Sequence, residues 1–130
     1  MTKLQYIDYW VDTAENDWVT VDALLAAKRY SHCLFWAHLV LEKLVKAHWV
    51  KNHEENIPPK THNIIWLLDE SAVEMTPEDM MFLESFNRFQ LSTRYPDYLR
   101  KIEKFCTEEL AKSQLEKVKE IRQCLLSKLQ

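Results

Sequence analysis

Apolar side chains recur at intervals of three and four between Leu4 and Ala27, at Ile7, Trp10, Val11, Ala14, Trp18, Val21 and Leu25. That period predicts an amphipathic helix whose other faces carry Asp8, Asp12, Asp17 and Asp22. Lys28 and Arg29 follow it with charges that suit a helix C-terminus. From Tyr30 to Lys51 the pattern changes. Leu34, Ala37, Leu41, Leu44, Val45 and His48 mark one face, while Phe35, Trp36, Leu39, Val40 and Val50 occupy others. A helix apolar on several sides is expected at the centre, covered by neighbours on two of them. Within it, Glu42 and Lys46 stand four apart in the order that favours an intrahelical ion pair, and Lys43 lies beside them. The alternative is that this polar strip faces the Thr93-Arg94-Tyr95-Pro96-Asp97 segment or a partner subunit.

Punctuation divides the remainder. Pro58-Pro59 enforces a loop, and Thr61 is placed to cap a short helix running from His62 to Asp69. Thr76-Pro77-Glu78-Asp79 combines a capping hydroxyl, proline at the first helical position and acids against the helix dipole. Phe82, Phe86 and Phe89 then recur at helical spacing and are assigned to the core. That helix runs into Thr93-Arg94-Tyr95-Pro96-Asp97, where proline bars continuation and holds its predecessor extended. Tyr98, Leu99, Ile102 and Phe105 suggest a short helical or extended connector. Thr107 caps a last helix bearing Ala111, Leu115, Val118, Ile121, Leu125 and Leu129. The expected fold is all-α, an antiparallel up-down bundle of four to five helices with residues 1–130 as one domain.

Composition narrows the function classes. The 130 residues contain no glycine, where average usage near 7% would give roughly nine. Phosphate-cradling loops and dinucleotide fingerprints need glycine for close backbone approach, so neither is expected. The formal net charge of -3 argues against binding nucleic acid through bulk charge. A local basic cluster, Arg88, Arg94, Arg100, Lys101 and Lys104, nevertheless surrounds the proline break. It fits either a solvated helix end or a phosphate-facing surface. Three widely spaced cysteines and five histidines form no metal-ligand spacing, so neither a metal nor a cofactor is expected. No signal-peptide order and no apolar run of membrane-spanning length occurs, which predicts a cytoplasmic protein without a membrane association.

The order of these segments resembles the HEPN family, the "higher eukaryotes and prokaryotes nucleotide-binding" helical domain. The resemblance rests on a first helix of the type Tyr9 to Leu25 and the step Ala27-Lys28-Arg29-Tyr30. It continues through Phe35-Trp36-Ala37-His38-Leu39-Val40-Leu41-Glu42-Lys43-Leu44-Val45-Lys46-Ala47, Pro59-Lys60-Thr61-His62-Asn63-Ile64, the Thr93 to Asp97 segment and a last amphipathic helix. It implies a helical bundle built on a long first pair and commonly dimeric. Family members are often encoded beside a minimal nucleotidyltransferase, some pairs acting as toxin and antitoxin. Others are RNases that use arginine followed, after four to six residues, by histidine. Here no histidine follows His62, so that pairing is missing as a motif.

The resulting expectation is a nucleotide-binding and partner-binding module, a homodimer with a nucleotidyltransferase partner and a nucleotide or RNA ligand. Arg94 would hold phosphate and Tyr95 would stack or hydrogen-bond. Lys43 and Lys46 would add charge, with Asp97, Glu42 and His62 in support. The alternative is a divergent ribonuclease in which His62 or a tyrosine replaces the lost histidine.

Overall fold

Thr2 starts the first helix with a reciprocal cap. Its hydroxyl accepts from the Gln5 amide at 3.2 Å, and the Gln5 side chain accepts from the Thr2 amide at 2.8 Å. A computed structural model describes residues 1–92 and 95–130, with only the backbone placed at Ser92. The expectations made for Thr93 and Arg94 therefore lie outside the described residues. Seven helices occur among the described residues: α1 (Lys3–Ala26), α2 (Tyr30–Asn52), α3 (Ile64–Glu70), α4 (Pro77–Phe86), α5 (Arg88–Ser92), α6 (Pro96–Glu103) and α7 (Glu108–Lys128). No strand is present among them. The fold is an all-α bundle. It has more pieces than four to five because the aromatic helix breaks at Asn87 and the connector after Pro96 is itself helical.

Without glycine, other residues must take the left-handed positions that end helices. Lys28 has φ of 60° and Ala72 has φ of 53°. After α1, the Arg29 amide bonds to the Leu24 carbonyl at 2.9 Å and the Lys28 amide to Leu25 at 3.0 Å. After α3, Val73 bonds to Leu68 and Ala72 to Asp69, each at 3.2 Å. Both are Schellman endings, made with side chains that strain this backbone region by about 1 kcal/mol or more each. The short turn between α1 and α2 makes them antiparallel neighbours. Thr76, Thr107 and Pro77 act as the sequence predicts, whereas the α3 cap is Asn63, two residues beyond Thr61. Asn63 Oδ1 accepts from the Trp66 amide at 3.0 Å, and Thr61 Oγ1 instead accepts from the Asn63 amide at 3.1 Å.

Helix α2 is the axis, in contact with α1, α3, α5, α6 and α7. Its Leu34, Ala37, Val40, Leu41, Leu44 and Val45 are fully buried, as expected for a helix apolar on several sides. His48 belongs to this core: its Nε2–H donates to the Leu125 carbonyl at 2.8 Å. Burial pushes the imidazole below its ordinary pKa despite that bond, which favours the neutral form. One expectation is corrected here. Asp17, assigned to an outer face of α1, is buried at the α1–α2 seam and bonds to Lys43 Nζ at 2.5 Å. The reason is positional, since Asp17 lies between Ala14 and Val21 on the stripe that meets α2.

Long-range side chains tie the helix ends together. Lys3 Nζ donates to the Val50 carbonyl at 2.8 Å and to the His53 carbonyl at 2.6 Å, satisfying the C-terminal end of α2. Arg122 on α7 reaches both oxygens of Glu15 on α1 at 2.7 and 2.6 Å while lying 5.0 Å from the Trp18 ring centroid. Lys128 donates to the Glu74 carbonyl, holding the α3–α4 connection against α7.

Candidate functional site

The α3–α4 connection is short, so the two helices run antiparallel and leave a cleft between them. One wall is α3 and its flanks, with His62, Asn63, Trp66 and Asp69. The other is built by Met80 and Glu84 of α4, Asn87 at the break, Leu91 of α5 and Tyr95 before α6. The cleft has a volume of about 1190 Å³. Antiparallel order puts His62 and Tyr95 toward one end and Met75, Glu74 and Met80 toward the other.

At the first end stands a buried polar network. Glu42 on α2 is only 2% exposed, yet His62 reaches it from the loop before α3, its Nδ1–H donating to Oε1 at 2.7 Å. Lys46 Nζ approaches the same oxygen at 3.4 Å and lies 5.4 Å from the Trp10 ring centroid. His38 Nδ1 is 3.5 Å from Oε2, but among the described residues neither His38 nitrogen nor Oε2 has a hydrogen-bond partner. That contact is electrostatic, and the His62 bond is the directional one. Burial alone would push the Glu42 carboxyl up; His38 and His62 together hold it below its ordinary value. Because a carboxylate only accepts, the bond fixes the proton on His62 Nδ1, leaving Nε2 as the free lone pair in the neutral ring.

Beyond Tyr95 the chain turns outward into α6. Pro96 occupies its first position and Asp97 its first turn, where the dipole favours a carboxylate. The Tyr95 and Tyr98 rings lie 6.1 Å apart, Lys101 Nζ is 5.9 Å from the Tyr98 centroid, and Arg88 sits 4.8 Å from Phe89 and 5.5 Å from Phe105. Tyr95, Tyr98 and Phe105 are exposed, as are Arg100, Lys101 and Lys104. The result is an exposed surface of alternating rings and cations.

The sequence-predicted residues thus divide. Tyr95 and His62 line one cleft, and Glu42 meets His62 from behind. Asp97 lies on the α6 surface. Lys43 is engaged by Asp17 and Lys46 is buried beside Glu42; neither lines the cleft. Arg94 lies outside the described residues. Trp66, Met75 and Met80 were not singled out by the sequence. Among the described residues no group of His, Cys, Asp and Glu could hold a metal ion, and no helix is long and apolar enough to cross a membrane.

Comparison with known proteins gives a match to the family model described as HEPN domain over residues 7–129. No curated protein and no solved structure matches the chain. The match runs from α1 to α7 and takes in the cleft, the buried network and the α6 surface, so this chain belongs to the HEPN domain family.

Proposed function

We propose that this protein is a nucleotide- or RNA-binding and interaction module whose ligand rests on the α5–α6 end. The observation that carries the reading is a set of exposed rings and cations: Tyr95 and Tyr98 lie 6.1 Å apart with Lys101 5.9 Å from Tyr98, and Arg88 lies 5.5 Å from Phe105. Rings give sequence-tolerant stacking platforms for bases, and the cations attract the backbone despite an acidic chain overall. Arg94, next to Tyr95 in sequence, is the proposed phosphate ligand. Lys43 and Lys46 are held inside by Asp17 and Glu42, so their proposed charge acts on the ligand only at longer range.

Fluorescence anisotropy of a labelled single-stranded 12-mer RNA at low salt tests this. The double variant Arg100→Glu/Lys101→Glu is expected to weaken binding at least about tenfold, and Tyr98→Ala to remove about 1–3 kcal/mol. Unchanged affinity in both variants overturns the assignment of the surface. The reading also includes a homodimer, tested by sedimentation at micromolar concentration. A minimal nucleotidyltransferase partner in a toxin–antitoxin-like pair is tested by co-elution after co-expression.

A second reading, a divergent ribonuclease, is favoured by the bond between Glu42 and His62. With Nδ1 committed to Glu42, His62 Nε2 is suited to take the proton of a ribose 2′-hydroxyl. The 2′-oxygen would then attack phosphorus as the bond to the 5′-oxygen breaks, and the leaving oxygen takes a proton from water, giving a cyclic phosphate and a 5′-hydroxyl end. Cleavage that vanishes in His62→Ala and falls in Glu42→Gln supports it. Absence of turnover by the wild type at high concentration removes it.

A further inference from the structure

The part of the cleft between α3 and α4 has a different character from its His62–Tyr95 end. Trp66, Met75 and Met80 supply an apolar surface, and Trp66 is 42% exposed although it is among the largest side chains of the protein. Asp69, Glu74 and Glu84 add three exposed carboxylates, none of which forms an ion pair among the described residues. No lysine or arginine lines the cleft among those residues. A phosphate would meet repulsion there, so this is not an extension of the proposed nucleotide surface. An apolar floor with an unpaired acidic rim is complementary to a ligand that is apolar on one side and cationic on the other.

The walls also define the ligand's backbone. Both are helices whose main-chain groups are bonded internally, so the cleft offers no strand edge to pair with. A peptide entering it must satisfy its own amides, as a helix does. Methionine side chains adapt to different apolar anchors, and tryptophan contributes a rigid face.

We propose that the α3–α4 cleft is the docking groove for a basic amphipathic helix of a partner protein, its apolar anchors on Trp66, Met75 and Met80 and its cations on Asp69, Glu74 and Glu84. The groove is separate from the α6 surface, so a single chain can hold a polypeptide and a nucleotide at once.

Three synthetic helical peptides test this on the full chain. The first carries leucine or tryptophan at positions i, i+3, i+4 and i+7 with lysine and arginine elsewhere. The second keeps those anchors but replaces the cations by glutamate, and the third keeps the cations but replaces the anchors by serine. The first is expected to bind at least about tenfold tighter than either control, shifting the Trp66 indole and the Met75 and Met80 methyl resonances. The variant Asp69→Lys/Glu74→Lys/Glu84→Lys, altered only at exposed positions, is expected to keep its fold by circular dichroism and to prefer the second peptide. The Arg100→Glu/Lys101→Glu variant is expected to bind the first peptide as the wild type does, which separates this groove from the RNA surface. Equal binding of all three peptides, an uninverted preference, or resonance shifts centred elsewhere overturns the proposal. So does concentration-dependent self-association that already covers Trp66, because the occupant is then a second copy of the chain.

Discussion

Glu42→Ala is expected to lower the stability of the protein by about 3–5 kcal/mol, read as a shift of the urea midpoint at constant slope. The carboxylate is 2% exposed and takes His62 at 2.7 Å and Lys46 at 3.4 Å. Removing it leaves the Lys46 ammonium buried with no counter-charge among the described residues, only the face of Trp10, and that uncompensated charge dominates the cost. Glu42→Gln keeps an acceptor for His62 and should lose less. The double variant Glu42→Leu/Lys46→Leu removes both charges and should recover most of the deficit. A loss below about 1 kcal/mol for Glu42→Ala would mean that the network contributes no more than an exposed pair.

The same carboxyl sets an acid dependence with a definite sign. Its folded-state pKa lies below the ordinary value, so its contribution is complete above that ordinary value. The contribution is lost as pH falls through the depressed folded pKa, where Glu42 takes up a proton and weakens its hold on Lys46, His38 and His62. The stability difference between wild type and Glu42→Gln should therefore shrink on acidification. A difference constant from pH 7 to pH 3 would contradict this assignment.

What the chain made legible was local. The stripe from Ile7 to Leu25 became α1, Thr76-Pro77 and Thr107 became helix starts, and the Phe86 and Phe89 positions became core, because each depends on residues within a turn or two. The Glu42–Lys46 spacing was readable for the same reason. Its union with His62 was not, since those residues are twenty apart and meet only when the loop before α3 folds back onto α2. Asp17 was misplaced because a polar residue between Ala14 and Val21 looks solvent-facing until a partner, Lys43, is known to stand opposite. The break at Asn87 leaves no proline or glycine signal, so α4 and α5 read as one helix. The cleft followed the same logic: Trp66 and Met80 sit in helical apolar patterns as core residues do, and only the gap between α3 and α4 makes them, with Met75 from the connection, the lining of a cleft. Tyr95, which lines the cleft, stood out in the sequence because Pro96 interrupts the pattern beside it.

Phe86→Ala is expected to cost about 3–5 kcal/mol, the other large effect. Phe86 has no exposed surface, and its ring lies 5.2 Å from Phe82, 5.1 Å from Phe89 and 5.9 Å from His38. Truncation removes its buried area and leaves a void that neighbouring rings fill only in part. The void would open beside His38, whose ring nitrogens have no hydrogen-bond partner among the described residues. Water entering there could satisfy them and hold the cost toward the lower end of the range. Phe86→Leu retains most of the volume and should cost no more than about 1.5 kcal/mol. The same ring supports the α4–α5 wall carrying Met80, Glu84, Leu91 and Tyr95. Phe86→Ala, studied where it remains folded, should therefore bind the basic amphipathic peptide more weakly than wild type, while an equally destabilised variant at the α1–α7 face should not. Urea denaturation alongside peptide titration makes the comparison. Equal peptide affinity in the two variants would show that the wall keeps its shape without Phe86 and that the ring acts on stability alone.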